Sequence, residues 1–177
     1  MTYEKFTVKF KRINAFDKYL NYLISIAVIG TGLFFLYQLH FTDWYSIKKE
    51  TTKNIAPVWF INCFSAFFII LGSYGFWRIP KTYEITTIES THSLSEKNQI
   101  IEQLISDFKL NQLEKVEEYL HFKYSGHFWN YFDIYIFYSR SHFYFNVQKR
   151  SYRGGFIDNG ASKKFTRTIK KKLLAYL

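Results

Sequence analysis

Of the 177 residues, only one is cysteine and only two are proline. The lone Cys63 rules out an internal disulfide framework or a thiolate-only zinc site within one chain. With Pro57 and Pro80 alone, long stretches run without a helix breaker. Acidic residues are scarce as well, 14 against 24 Lys and Arg, for a net charge of +10. The chain has no Walker pattern, no G-x-G-x-x-G turn, no nucleophile elbow, no kinase set and no nuclease carboxylate cluster. The reading is therefore a non-enzyme with no catalytic residue, no metal and no cofactor. The most informative absence is of charge. From Tyr19 to Thr42 and again from Asn54 to Trp77 there is no Asp, Glu, Lys or Arg.

Each of these runs exceeds the roughly 20 apolar residues that a helix needs to cross a hydrocarbon core. Apolar side chains go all round both helical circumferences, which requires apolar surroundings. A chain of this size has too little other apolar mass to wrap two such helices. A secretory leader does not fit the first run, which is too long and is followed by Gln38, His40 and Phe41 instead of small residues. The reading is a transmembrane hairpin over 19-77, with spans at about 19-42 and 54-77 and a polar loop at 43-53. Trp44, Trp59 and Trp77 mark the interfaces as anchors. Pro57 suits the first turn of the second span, after a cap at Asn54. Small residues, Ala27, Gly30, Thr31 and Gly32 against Ser65, Ala66, Gly72, Ser73 and Gly75, allow the two helices to approach closely. The charge-free spans argue against a proton relay or an ion pump.

Lys5, Lys9, Lys11, Arg12, Lys18, Arg78 and Lys81 lie on one side of the hairpin, and Lys48, Lys49 and Lys53 on the other. This asymmetry puts both termini in the cytoplasm, most simply at a bacterial inner membrane. Residues 1-18 form a basic cytoplasmic segment. There Phe6, Val8 and Phe10 alternate with polar residues, as in a short strand or an interfacial segment leading into the membrane.

Residues 78-177 read as a cytoplasmic α+β domain of order β-α-β-β-β-α with a mainly antiparallel sheet. A strand is expected at Tyr83 to Ile88. A helix follows from Ser93, where Ser93 and Glu96 form a capping box, and Asn111 stops it. Three strands are expected at about 116-124, 129-138 and 143-150, then a helix at about 162-176 with Phe165, Ile169, Leu173 and Leu174 as its apolar stripe. The middle strand is apolar on both sides and should be central. No internal repeat or low-complexity segment is apparent.

After residue 148 nine cations face only Asp158. Lys149, Arg150, Arg153, Lys163, Lys164 and Arg167 are candidates for holding an anion or phosphate beside Gly154-Gly155. Lys170, Lys171 and Lys172 are candidates for contact with anionic lipid. For the basic helix two readings stand together: it lies on lipid, or its stripe packs on the sheet and its charges are solvated. His92, His121, His127 and His142 read as scattered histidines. Nucleic acid is not expected as a partner, because the aromatic strands carry no RNP-type pattern. The functional expectation is a membrane-anchored interaction protein, an accessory subunit or immunity-type binder, with the lipid bilayer and a protein partner or further copies of itself around it. The alternative is a ligand-gated two-span effector. Its cytoplasmic domain would bind an anionic ligand such as a cyclic nucleotide and drive oligomerisation of the hairpins.

Overall fold

The computed structural model describes residues 2–51, 56–126, 131–150 and 160–177. The protein is α+β, and the described residues form six helices and one antiparallel five-stranded sheet. It divides into two units, Phe16–Ile79 and Met1–Ala15 together with Pro80–Leu177.

The first unit is the hairpin. Helix α2 (Ala15–Phe41) and helix α4 (Val58–Thr82) are both long and apolar enough to cross a membrane. In the most apolar window of each, only 11% and 17% of residues are buried inside the protein, so the apolar surface faces outward. Between them the structure adds helix α3 (Trp44–Thr51), where the sequence reads as loop. Asn54 lies outside the described residues. Pro57 comes just before α4, and its carbonyl accepts from Phe60 N (2.9 Å) and Ile61 N (3.2 Å). α4 does not stop at Trp77 but runs through Pro80 to Thr82, because a proline this close to the end breaks little of the hydrogen-bond ladder.

α2 and α4 pack along a seam set by a repeat that the sequence reading missed. Both carry S-x-x-x-I-x-x-G, as Ser25, Ile29, Gly32 and as Ser65, Ile69, Gly72. A Cβ at Gly32 would lie 2.7 Å from the Ser65 carbonyl oxygen and 2.8 Å from Ile69 Cγ1; one at Gly72 would lie 2.8 Å from the Ser25 carbonyl oxygen and 2.6 Å from Ile29 Cγ1. Each serine thus meets the other helix's glycine in an antiparallel pair. Gly30 faces open space, and Ala27, Thr31, Ala66 and Ser73 are exposed, so these four and Gly30 stand outside the seam. Farther along, His40 Nε2 and Asn62 Oδ1 pair across the helices at 2.9 Å. Gly72→Leu is expected to force the helices apart at a cost of about 2 kcal/mol, while Gly30→Leu changes little. Spin-label distances across the hairpin, measured with thermal denaturation in detergent, check both.

The second unit is built on strands β1 (Thr86–Glu89), β2 (Asn111–Val116), β3 (Tyr119–Ser125), β4 (Tyr131–Tyr138) and β5 (His142–Arg150), in the order β1-β5-β4-β3-β2. β2 to β5 form a meander, and β1 joins its β5 edge. Helix α5 (Leu94–Phe108) connects β1 to β2. Its expected capping box is present: Ser93 Oγ accepts from Glu96 N, and the Glu96 carboxylate accepts from Ser93 N. That bonding holds the Glu96 carboxyl below its ordinary value, the backbone N–H of Ser93 contributing most. The helix ends at Lys109 in the left-handed region (φ 49°), two residues before the expected Asn111.

The single strand expected over 116-124 is in fact the end of β2, a turn and β3. The turn residues are Glu117 and Glu118, and Glu117 has φ 53°. With no Gly, Asn or Pro there, the sequence gives no turn signal.

β4 is the central strand, as its apolar pattern requires. Phe132, Ile134, Ile136 and Tyr138 point to one sheet face, which is covered by α5 and by helix α6 (Ala161–Tyr176). Tyr135 and Phe137 point to the other face, covered by helix α1 (Tyr3–Ile13). The strand or interfacial segment expected at residues 1-18 is therefore corrected to a helix packed on the sheet. Three alternating residues cannot distinguish a two-residue period from an i, i+4 pair. Phe6 and Phe10 are that pair, 0% and 2% exposed, whereas Val8 is 65% exposed.

Lys97 is fully buried. Its Nζ donates to the carbonyls of Ser90 (3.1 Å), Ser139 (2.9 Å) and Arg140 (2.9 Å), tying α5 to both the β1–α5 connection and the β4–β5 turn.

Candidate functional site

α6 begins after Gly160, whose φ of 83° suits glycine. Ser162 Oγ accepts the backbone N–H of Lys149 at 2.8 Å, which fastens the end of β5 to the start of the helix. Ile169 and Leu173 are buried in the core, and Phe165 packs on the rings of Phe108, Tyr124 and Phe132. Leu174, expected in the same stripe, is 53% exposed. The apolar stripe of α6 is thus spent on the sheet. Lys163, Lys164, Arg167, Lys170 and Lys171 remain exposed on the other side.

Lys172 is engaged. It pairs with Asp107 of α5 at 2.9 Å, and the Tyr176 hydroxyl donates to the same carboxylate. The Lys172 hydrogen bond first, then that of Tyr176, holds the Asp107 carboxyl below its ordinary 3.8. The same contact with Asp107 raises Lys172 above 10.5 and Tyr176 above 10.0. Asp107 therefore contributes fully above 3.8, and its part is lost as pH falls through its lowered value. Lys172 and Tyr176 contribute fully below their ordinary values and lose this as pH rises through the raised ones. Protection of the last turn of α6 against amide exchange is expected to be flat between about pH 5 and pH 9 and to fall outside that window. In Asp107→Asn the plateau should be lower and the acid limb absent.

Of the anion candidates, the structure joins some and separates others. Lys149 pairs with Phe132 in register and so lies on the α6 side of the sheet. Arg150 lies on the α1 side, where its Nε pairs with the buried Asp133. Arg153 lies outside the described residues. Arg150 and the α6 cations therefore stand on opposite sheet faces and do not converge on one ligand.

The α1 side carries a polar network that the sequence reading took for scattered residues. His121 Nε2 is 3.4 Å from Asp133 Oδ1, and its ring stacks on Tyr135 at 4.4 Å between centroids. Asn146 Nδ2 donates to the carbonyls of Thr82 (3.0 Å) and Glu84 (2.8 Å). Gln148 Nε2, Asn146 Oδ1 and Tyr119 Oη are buried without a hydrogen-bond partner among the described residues. Burial raises the Tyr119 hydroxyl's pKa. Strand register was the missing signal: only the β3–β4 and β4–β5 pairings bring His121, Asp133 and Arg150 together. Of the other histidines, His92 is near Ser90 and His142 near Ser141, while His127 lies outside the described residues. Among the described residues no three His, Cys, Asp or Glu side chains gather to hold a metal ion.

Trp59 and Trp77 are 64% and 58% exposed near the two ends of α4. Their separation along the helix is about 27 Å, close to the thickness of a hydrocarbon core. Trp44 opens α3. No family model, curated protein or solved structure matches the chain.

Proposed function

We propose that the chain is a non-enzymatic, membrane-anchored interaction protein, an accessory subunit or immunity-type binder, with its second unit in the cytoplasm at a bacterial inner membrane. The observation that carries the reading is the shared core of α1 and the strands. α1 precedes the hairpin and the strands follow it, yet Phe6 and Phe10 pack with Tyr119, Tyr135 and Phe137. Chain before and after the hairpin thus lies on one side of any membrane that α2 and α4 cross. The excess of Lys and Arg flanking that side favours the cytoplasm. A charge-free hairpin closed on itself by Ser–Gly contacts suits an anchor better than a conduit.

The alternative, a ligand-gated effector, gains from the same double attachment, since a change in the second unit would reach both helices. It loses from the separation of Arg150 and the α6 cations, which divides the described anion candidates between the two sheet faces. The test is extraction of the tagged protein in mild detergent, followed by mass spectrometry of whatever co-purifies. A partner at fixed stoichiometry is the expected result. A homo-oligomer carrying a nucleotide would replace the proposal with the alternative.

A further inference from the structure

We infer that the polar end of the interface between α1 and the sheet is a binding site for ordered water, one molecule of which bridges Asn146 and Gln148. Along β4 the residues that face α1 change from aromatic to charged, Phe137 and Tyr135 and then Asp133. α1 follows the same line. The Phe6 ring lies 5.3 Å from that of Phe137, and the Phe10 ring 5.3 Å from that of Tyr135. Asn14 N continues the turn by donating to the Phe10 carbonyl at 3.1 Å, so Asn14 falls one turn farther on, over Asp133. Strand register adds the flank, because on β5 Gln148 is directly opposite Asp133 and Asn146 directly opposite Tyr135. The ring-on-ring end of the interface thus passes into an end made of amides and a carboxylate.

Burial at this end is nearly complete: Asn14 is 4% exposed, Asp133 1%, Asn146 3% and Gln148 8%. Asn146 spends both of its N–H groups on the Thr82 and Glu84 carbonyls, which fixes its amide plane and leaves Oδ1 as an acceptor. That oxygen and Gln148 Nε2 are buried without a hydrogen-bond partner among the described residues. One needs a donor and the other an acceptor, and buried polar groups are nearly always bonded.

Charge, bonding and size together select what answers them. Asp133 already holds Arg150 Nε, with His121 Nε2 at 3.4 Å. A further cation would meet the guanidinium and a further anion the carboxylate, so the occupant is neutral. It must also donate to one atom and accept from another. Side chains so far withdrawn from solvent enclose the position, and anything much larger than water enters only by lifting α1. Asn146 and Gln148 are two residues apart on one strand face, about 6.7 Å between Cα atoms. A water with two bonds of about 2.9 Å spans about 4.7 Å, and the lean of two amide side chains covers the rest. Buried waters typically make about three hydrogen bonds, and Asp133 opposite Gln148 supplies the third. Held there, the water ties the main chain that follows α4, through Asn146, to the strands that carry Asp133 and Gln148.

The experiment is water-edited magic-angle-spinning NMR on the full chain in lipid bilayers, reading transfer from water to the side-chain amides of Asn146 and Gln148. The backbone amides of Leu104 and Ile169, both 0% exposed in the core on the other sheet face, serve as the dry reference. Transfer to the two side chains is expected to build up well ahead of the reference. Build-up no faster than at Leu104 and Ile169 would mean a dry interface and overturn the inference. Gln148→Met, of similar volume but without the amide, is expected to lose the transfer at Asn146. Undiminished transfer there would overturn the bridge. Unchanged shifts at Leu104 and Ile169 show that the variant is folded, and if it does not fold the wild-type comparison decides alone. Native mass spectrometry of the wild type closes the remaining route: a small solute retained at one per chain and lost in Gln148→Met would replace water as the occupant.

Discussion

Lys97→Met is expected to destabilise the second unit by about 3 kcal/mol or more, since it removes the buried ammonium that three main-chain carbonyls share. The Lys97 ammonium is 0% exposed and holds Ser90, Ser139 and Arg140 by their main-chain oxygens. Two connections from different parts of the chain, the β1–α5 link and the β4–β5 turn, meet on this one side chain. Methionine fills similar volume, so the loss is chiefly of hydrogen bonds. Chemical denaturation of the full chain in detergent, followed by amide exchange at α5 and β4, measures it. Wild type and variant should also differ in pH response. Desolvation lowers the folded-state pKa of Lys97 from 10.5. Between that lowered value and 10.5 the unfolded chain binds more protons, so this group makes stability rise with pH across that window. Lys97→Met removes the rise. A variant as stable as wild type at neutral pH would mean that the carbonyls find water easily and that the lysine is dispensable.

The second large effect is expected from Phe6→Ala with Phe10→Ala. Each ring is fully or nearly fully buried, and truncating a buried Phe typically costs about 3–5 kcal/mol. The Phe6 ring lies 5.3 Å from Phe137 and 6.0 Å from Tyr119, and the Phe10 ring 5.3 Å from Tyr135. The Lys9 Nζ to Glu114 pair at 2.5 Å, its side chains 32% and 38% exposed, is worth little by comparison. The expected result is release of α1 ahead of global unfolding. Trypsin should then cut after Lys9, Lys11 and Arg12 while α5 and α6 stay protected, because their core is a separate cluster on the other sheet face. If α1 stays resistant in the double variant, the rings are not what holds it.

The features read correctly from sequence were those with a local cause. Ser93 and Glu96 announce the start of α5 because a capping box is complete within four residues. The stripe of Ile169 and Leu173 announces α6, and the apolar run of β4 its central place, because burial on two sides leaves Asp133 as its one charged residue. The features missed depend on chain segments far apart. Phe6 and Phe10 look like half of a strand until β4 is there to receive them. Glu117 adopts a turn that its side chain does not advertise. Arg150 looks like a member of the C-terminal basic cluster, and only β4–β5 register turns it to the opposite face, onto Asp133. Ser25 and Ser65 are forty residues apart, and their matching S-x-x-x-I-x-x-G patterns matter only once the helices are antiparallel. The candidate site divides the same way: the cations of α6 could be named from sequence, but their isolation from Arg150 could not.

The packing of α1 on the sheet also sets an order of events during synthesis. Tyr3–Ile13 is made before the hairpin, and the β4 strand that receives it follows only after the whole hairpin and three strands of the sheet have been made. At ribosomal speed that interval is on the order of ten seconds. Throughout it, a basic helix with two unclaimed phenylalanines stands immediately ahead of the first long apolar segment. α2 and α4, long and apolar enough to cross a membrane, are complete before the surface that claims those rings exists. The sheet-containing unit is then sealed by chain from both sides of the hairpin. A fragment covering 80–177 alone would leave Tyr119, Tyr135 and Phe137 uncovered. The first dozen residues are, in effect, the last piece to be fitted.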